Sequence, residues 1–174
     1  MTATRDQFGR PIVVVTGMGV VTSLGAGKND NWAKLTAGES GIRTITRFPT
    51  DGLKTTMAGA IDFVPVEPFS STVLGEKLAD LATEEAVAQA EIGRKGDFPG
   101  PLFLAVAPVE LEWQQREEVA RATGANTEIN YDALLRVSGG GKYTYAHRRY
   151  LFGSVASNLA DKYGTKGSPI SIST

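Results

Sequence analysis

The glycines that close a β-branched run are the first residues of this chain whose spacing suggests chemistry. Ile12-Val13-Val14-Val15 leads through Thr16 into Gly17-Met18-Gly19. That is how a Gly-x-Gly-x-x-Gly turn begins, the turn that sets a dinucleotide pyrophosphate on a helix N-terminus. The third slot holds Thr22, where close helix packing asks for Gly or Ala, and the acidic residue at about the right distance, Glu39, lies within a Gly-Glu-Ser-Gly turn. A tight structural turn after a core strand is therefore favoured over a nucleotide site. Phosphate loops fail too. Upstream of Gly27-Lys28 the required glycine is Thr22 and the residue after Lys is Asn29; upstream of Gly141-Lys142 it is Arg136, and Tyr143 follows. Neither supplies the paired glycines and the metal-binding hydroxyl that phosphate cradling needs.

Two charged groups remain. His147-Arg148-Arg149 sits beside Tyr143, Tyr145 and Tyr150, a combination able to stack on bases and hold RNA phosphates. Eighteen Lys and Arg against nineteen Asp and Glu leave a net charge of -1, without the basic excess that nucleic acid demands. A solvated helix start or a docking spot for an acidic partner is the preferred reading. Glu110, Glu112, Glu117 and Glu118 read as one wet helix face. Cysteine is absent and His147 is the single histidine, which removes disulfides, thiolate metal sites, cysteine nucleophiles and a histidine zinc cage. No metal or other cofactor is expected.

The elements that must position these residues follow from periodicity. Residues 12–15 read as a strand buried on both faces. Asn29 or Asp30 is expected to cap a short helix through Trp32 and Leu35, closed by Gly38. Weak strands are expected at 44–48 and 57–61, around the turn-prone Pro49-Thr50-Asp51-Gly52. Residues 64–71 read as loop. Leu74, Leu78, Leu81, Ala82 and Ala86 place a helix over 75–92, its alanine-rich face suited to packing on a sheet. A buried strand at 102–107, a helix over 111–122, a turn or two of helix at 131–137 and a flexible glycine joint at 138–141 follow. Leu151, Val155, Leu159 and Tyr163 predict a helix over 149–163, stopped by Gly164 and Gly167, and residues 170–174 alternate as a strand. The order gives a mixed-sheet α/β unit.

Composition agrees with a globular domain: 41% apolar and 21% charged residues in 174. The uncharged stretch 11–27 is broken by Thr16, Gly17 and Gly19. β-branched Val dominates it where signals favour Leu and Ala, and it is too polar and too short for a membrane helix, so the chain reads as cytoplasmic.

Three stretches together resemble the beta-ketoacyl-[acyl carrier protein] synthase family, which has the thiolase fold. They are Val13 through Gly25 with its Thr-Gly-Met-Gly turn; Trp32-Ala33-Lys34-Leu35 with Gly38-Glu39-Ser40-Gly41-Ile42 and Phe48; and Asn158 with Tyr163 through Thr174. In the family the last pattern runs directly into Ala-Cys, and that cysteine is the nucleophile. The resemblance implies that residues 1–174 are an N-terminal domain ending just before the nucleophile, so that no catalytic residue lies within them. It further implies decarboxylative condensation of acyl and malonyl thioesters in fatty acid synthesis, with acyl carrier protein as partner, a homodimer as assembly, and neither nucleic acid nor membrane. The alternative is a non-catalytic half-length module that binds acyl carrier protein or pairs with a second chain. Residue by residue, Lys77 matches a basic position that meets the carrier protein, although Glu76 replaces a second one. Pro108 stands at a border of the acyl pocket, where Ala105-Val106-Ala107-Pro108-Val109-Glu110 departs from the family's glycine-rich turn. Ile170, Ile172 and Thr174 fall on a strand expected at the dimer interface. His147 matches no family histidine.

Overall fold

Local sequence sets where each element begins and ends. The computed structural model describes residues 4–66, 70–92, 98, 100–107, 112–122, 131–142, 144 and 151–173. A small antiparallel hairpin, β1 (Val21–Thr22) and β2 (Gly25–Ala26), leads into α1 (Lys28–Thr36). The residue before α1 is Gly27 at φ +87°, not Asn29 or Asp30. Only glycine takes that backbone without strain, so conformation outranked the side-chain cap. A second antiparallel pair, β3 (Arg43–Thr44) and β4 (Met57–Ala58), is shorter than its sequence pattern suggests. Next come α2 (Ser71–Ala90), β5 (Phe103–Ala105), α3 (Trp113–Ala122), α4 (Tyr131–Gly139), α5 (Phe152–Tyr163) and β6 (Ile170–Ile172). The sequence placed the start of α2 at 75 because Ser71, Thr72 and Val73 are weak helix formers.

The core forms where α5 meets β5 and α2. Val155, Leu159 and Tyr163, at i, i+4, i+8 on one face of α5, are buried together and packed by Ala79, Val87, Phe98, Leu102, Leu104 and Val106. Gly164, left-handed at φ +69°, ends α5 and turns the chain back so that β6 runs parallel to β5. The register is Phe103↔Ile170, Leu104↔Ser171 and Ala105↔Ile172. Side chains alternate along a strand, so Leu104 faces the α5 core while Phe103, Ile170 and Ile172 share the opposite face, each 44–61% exposed. The expected buried strand at 102–107 is formed over 103–105, and only the face of Leu102, Leu104 and Val106 packs on the core, half-buried.

Residues 12–15 depart furthest from expectation. They form no strand, and Val13, Val14 and Val15 are exposed, Val13 at 91%. A continuous β-branched run is buried only when strands flank it and layers cover it, and among the described residues none does. The alanine face of α2 also packs differently from expectation. It meets the glycine turn rather than a sheet: a Cβ on Gly17 would sit 2.0 Å from the Ala86 carbonyl oxygen, and one on Gly19 1.8 Å from that of Ala82.

Candidate functional site

Helix α2 is the element on which the candidate residues converge. On its glycine-turn side, Glu85 and Gln89 stand one helical turn apart beside Ala82, Ala86 and Ala90. The Met18 N–H donates to Gln89 Oε1 (2.9 Å), and the Val20 and Lys28 N–H groups donate to the two oxygens of Glu85 (2.9 and 2.8 Å). Lys28 Nζ donates to the Met18 carbonyl (2.5 Å) and to Gln89 Oε1 (2.9 Å), and lies 3.5 Å from Glu85. Backbone hydrogen bonds from Lys28 and then Val20, with the Lys28 ammonium, hold the Glu85 carboxyl below the usual range. The glycines of this turn thus serve close approach to a helix. The first amide of α1, where a phosphate would bind, is already taken by a carboxylate of the chain itself.

The side of α2 facing α5 is a polar seam. Tyr163 donates its hydroxyl to Asp80, 2.8 Å from Oδ1 and 3.1 Å from the carbonyl oxygen, and Lys162 Nζ lies 2.6 Å from both carboxylate oxygens. Asn158, one of the residues of the third matching stretch, reaches Glu76 at 3.4 Å. Burial first, then the Asp80 hydrogen bond and the charges of Asp80 and Glu84, push the Tyr163 phenol well above its ordinary pKa.

The sequence-derived site residues are dispersed around this frame. Lys77 is exposed on α2 near its start, and its ammonium donates to the Pro65 carbonyl at 2.6 Å. Ile170 and Ile172 lie on β6, which pairs with β5 along one edge within a two-stranded sheet. Pro108 and Thr174 lie outside the described residues, as does the His147-Arg148-Arg149 cluster. One reading is corrected outright. Glu112 is not on a wet helix face: it is buried, precedes α3, and its carboxylate accepts hydrogen bonds at the start of α2. Sequence offered no signal for a contact spanning 40 residues. Glu85 and Gln89 were also missed, although an i,i+4 polar pair beside an alanine stripe could have marked them. Among the described residues no three His, Cys, Asp or Glu side chains form a metal cage, and no helix is long and apolar enough to cross a membrane.

Comparison with known proteins adds the following. Residues 10–71 match the family model "Beta-ketoacyl synthase, N-terminal domain". The chain is 27% identical over 176 residues to a putative polyketide beta-ketoacyl synthase 1 of Streptomyces cyaneus, covering 93% of this chain and 39% of that protein. It is 31% identical over 170 residues to the 3-oxoacyl-[acyl-carrier-protein] synthase 2 of Coxiella burnetii, covering 93% and 38%. Among solved structures it resembles a type II polyketide ketosynthase, bound to a hexaketide and in complex with its acyl-carrier protein. The TM-score is 0.59 at 27% identity, over 92% of this chain and 37% of that one. The α/β fold is that of the thiolase-like ketosynthases, and the chain spans about 39% of the length of the curated relatives it matches.

Proposed function

The chain belongs to the beta-ketoacyl synthase family, whose N-terminal portion it carries, and on that premise we propose that it is the N-terminal domain of a 3-oxoacyl-[acyl carrier protein] synthase acting in fatty acid synthesis in the cytoplasm. The observation that carries this reading is the α5–β6 unit. The residues that resemble the family's approach to its nucleophile, Tyr163 onward, leave a buried helix through the left-handed Gly164 and enter a strand laid parallel to β5. By the family resemblance, a cysteine nucleophile of the whole protein, outside residues 1–174, would take the acyl group from its carrier as a thioester. Malonyl carrier then loses carbon dioxide, and its α-carbon attacks the thioester carbonyl, releasing the thiol and leaving a 3-oxoacyl carrier. The residues described here would act by positioning: α5 and β5 fix the direction in which β6 leaves the core.

In this reading Lys77, exposed on α2, meets the acidic carrier protein, and Pro108 borders the acyl chain. Ile170, Ile172 and Thr174 contribute to a homodimer interface. Support for the last is physical: Ile170 and Ile172 sit on an apolar, half-exposed strand face, and among the described residues β6 is paired along one edge only, with β5.

The test uses the complete gene product and, separately, the 174-residue chain, each supplied with acyl and malonyl carrier protein and assayed for 3-oxoacyl product. The complete product is expected to condense. The 174-residue chain, with no cysteine and one histidine, is expected to be silent, because loss of a covalent nucleophile typically costs on the order of a million-fold. Condensation by the 174-residue chain, or none by the complete product, would refute the reading. The latter result would leave a non-catalytic module that binds carrier protein or pairs with a second chain.

A further inference from the structure

The loop that joins β3 to β4 carries the chain's single Asp-Gly pair, Asp51-Gly52, and the chain has no Asn-Gly. In an Asp-Gly unit the backbone nitrogen of the glycine can attack the carboxyl carbon of the aspartate, and glycine puts no side chain in the way of the ring that forms. Whether such a pair reacts in a folded chain depends on exposure, on the room around it and on the freedom of the glycine nitrogen. All three conditions are met here. Asp51 and Gly52 are both exposed. A Cβ built on Gly52 would meet no atom within 4 Å. The Leu53 N–H donates to the Thr50 carbonyl at 3.0 Å and closes a four-residue turn, in which Gly52, at φ +78°, takes the third place. That bond uses neither the Gly52 N–H nor the Asp51 carboxylate, and among the described residues neither group has a hydrogen-bond or ion-pair partner.

We propose that Asp51-Gly52 is a site of spontaneous backbone modification, at which Asp51 converts to isoaspartate in the folded chain. The Gly52 nitrogen attacks Cγ of the protonated Asp51 carboxyl. The new C–N bond forms, a C–O bond breaks, and the N–H proton leaves with the hydroxyl as water. Water then opens the five-membered imide. Opening at the former backbone carbonyl leaves Gly52 attached through Cγ and frees that carbonyl as a carboxylate, so nothing is oxidised, reduced or lost overall. The main chain through residue 51 becomes one carbon longer. Both ends of the loop are pinned, by the β3–β4 register and by the Ile45 N–H donating to the Thr56 carbonyl at 2.8 Å, so the extra atom is taken up inside the loop. Phe48, Pro49 and Leu53 of this loop wall a cleft of about 730 Å³ together with Leu74 of α2, and that wall is what the modification reshapes. The proposal rests on neither the condensing reaction nor the family.

Peptide mapping of the 174-residue chain, aged without denaturant at neutral pH, tests this. Trypsin cuts after Arg47 and Lys54 and so releases residues 48–54 as one peptide. We expect that peptide to divide with time into two chromatographic forms of equal mass. The new form alone should accept a methyl group from S-adenosylmethionine in the presence of an isoaspartyl carboxyl methyltransferase. Exposed loops open at almost no free-energy cost, so the rate in the native chain should lie within about tenfold of that in a synthetic 48–54 peptide. Asp51→Glu keeps the charge but would require a six-membered ring, and the new form should be lost. Absence of a new form, an equal-mass second form that persists in Asp51→Glu, or a native rate more than about tenfold below that of the free peptide would each overturn the proposal.

Discussion

Replacing Tyr163 by Phe removes a single hydroxyl from the seam between α5 and α2, and its consequences can be worked through pH. In the native chain the phenol donates to the Asp80 carboxylate at 2.8 Å, while Lys162 holds the same carboxylate at 2.6 Å. Hydrogen bonds to charged groups contribute roughly 1.5–3 kcal/mol. The Asp80 side chain is 30% exposed and keeps its lysine, so water and Lys162 compensate in part and the loss should be about 1.5 kcal/mol near pH 8. The phenol is the protonated form, and folding raises its pKa. Its stabilisation is therefore complete below the unfolded value of about 10 and falls, by roughly 1.4 kcal/mol per pH unit, as pH rises between the unfolded and folded values. The chain's other four tyrosines of five are shared by both proteins and largely cancel. Wild type and Tyr163→Phe should then converge near about pH 11, where the two terms are equal. Urea unfolding followed by far-ultraviolet circular dichroism at pH 8, 9, 10 and 11 measures the gap. A gap that stays constant across that range would show that the folded phenol ionises like an unfolded one, and the reasoning would fail.

Other outcomes are as specific. Gly19→Ala should destabilise by about 1–3 kcal/mol, because its Cβ meets backbone at 1.8 Å, whereas Gly75→Ala in α2, with nothing within 4 Å, should stabilise by about 0.5–1 kcal/mol; thermal melts of the pair check both. In the complete protein Lys77→Glu should weaken carrier-protein binding at low ionic strength, with the difference shrinking as salt is added; equal affinities at low salt would remove Lys77 from the docking surface. Ile172→Lys in the complete protein should yield monomers or insoluble protein by sedimentation, since a charge on an uncovered strand face opposes pairing; an intact dimer would place the interface elsewhere.

How much of this was legible in the sequence depended on how local the determinants are. The α5 face was readable because Val155, Leu159 and Tyr163 repeat at helical spacing, and Gly164 marked its end. The β6 strand was readable from the alternation Ile170-Ser171-Ile172. Residues 12–15 misled because a β-branched run reports what a segment can bury, not whether neighbours are present to bury it. Glu112 misled for the opposite reason. Beside Glu117 and Glu118 its charge looks solvated, and only the tertiary approach of the α2 start supplies donors that make burial favourable.

Glu85 accounts for why the glycine turn before α1 is not a phosphate site, and Glu112 closes the start of α2 in the same way. The starts of α1 and α2 each present unpaired N–H groups, and neither Gly27 nor Ser70 makes a side-chain cap. Such a helix start would attract a phosphate if left open. Instead the Lys28 N–H donates to Glu85 of α2, and the Thr72 and Val73 N–H groups donate to Glu112. Each carboxylate comes from a different element, so each satisfies a helix start and joins two parts of the chain in one contact. A phosphate entering at either start would have to displace a carboxylate and leave that acid beside another anion. The glycine turn cannot open to receive it either, since Gly17 and Gly19 lie flush against the Ala86 and Ala82 carbonyls. The glycines and the acids therefore serve one purpose here: they fix the turn, α1 and α3 upon α2.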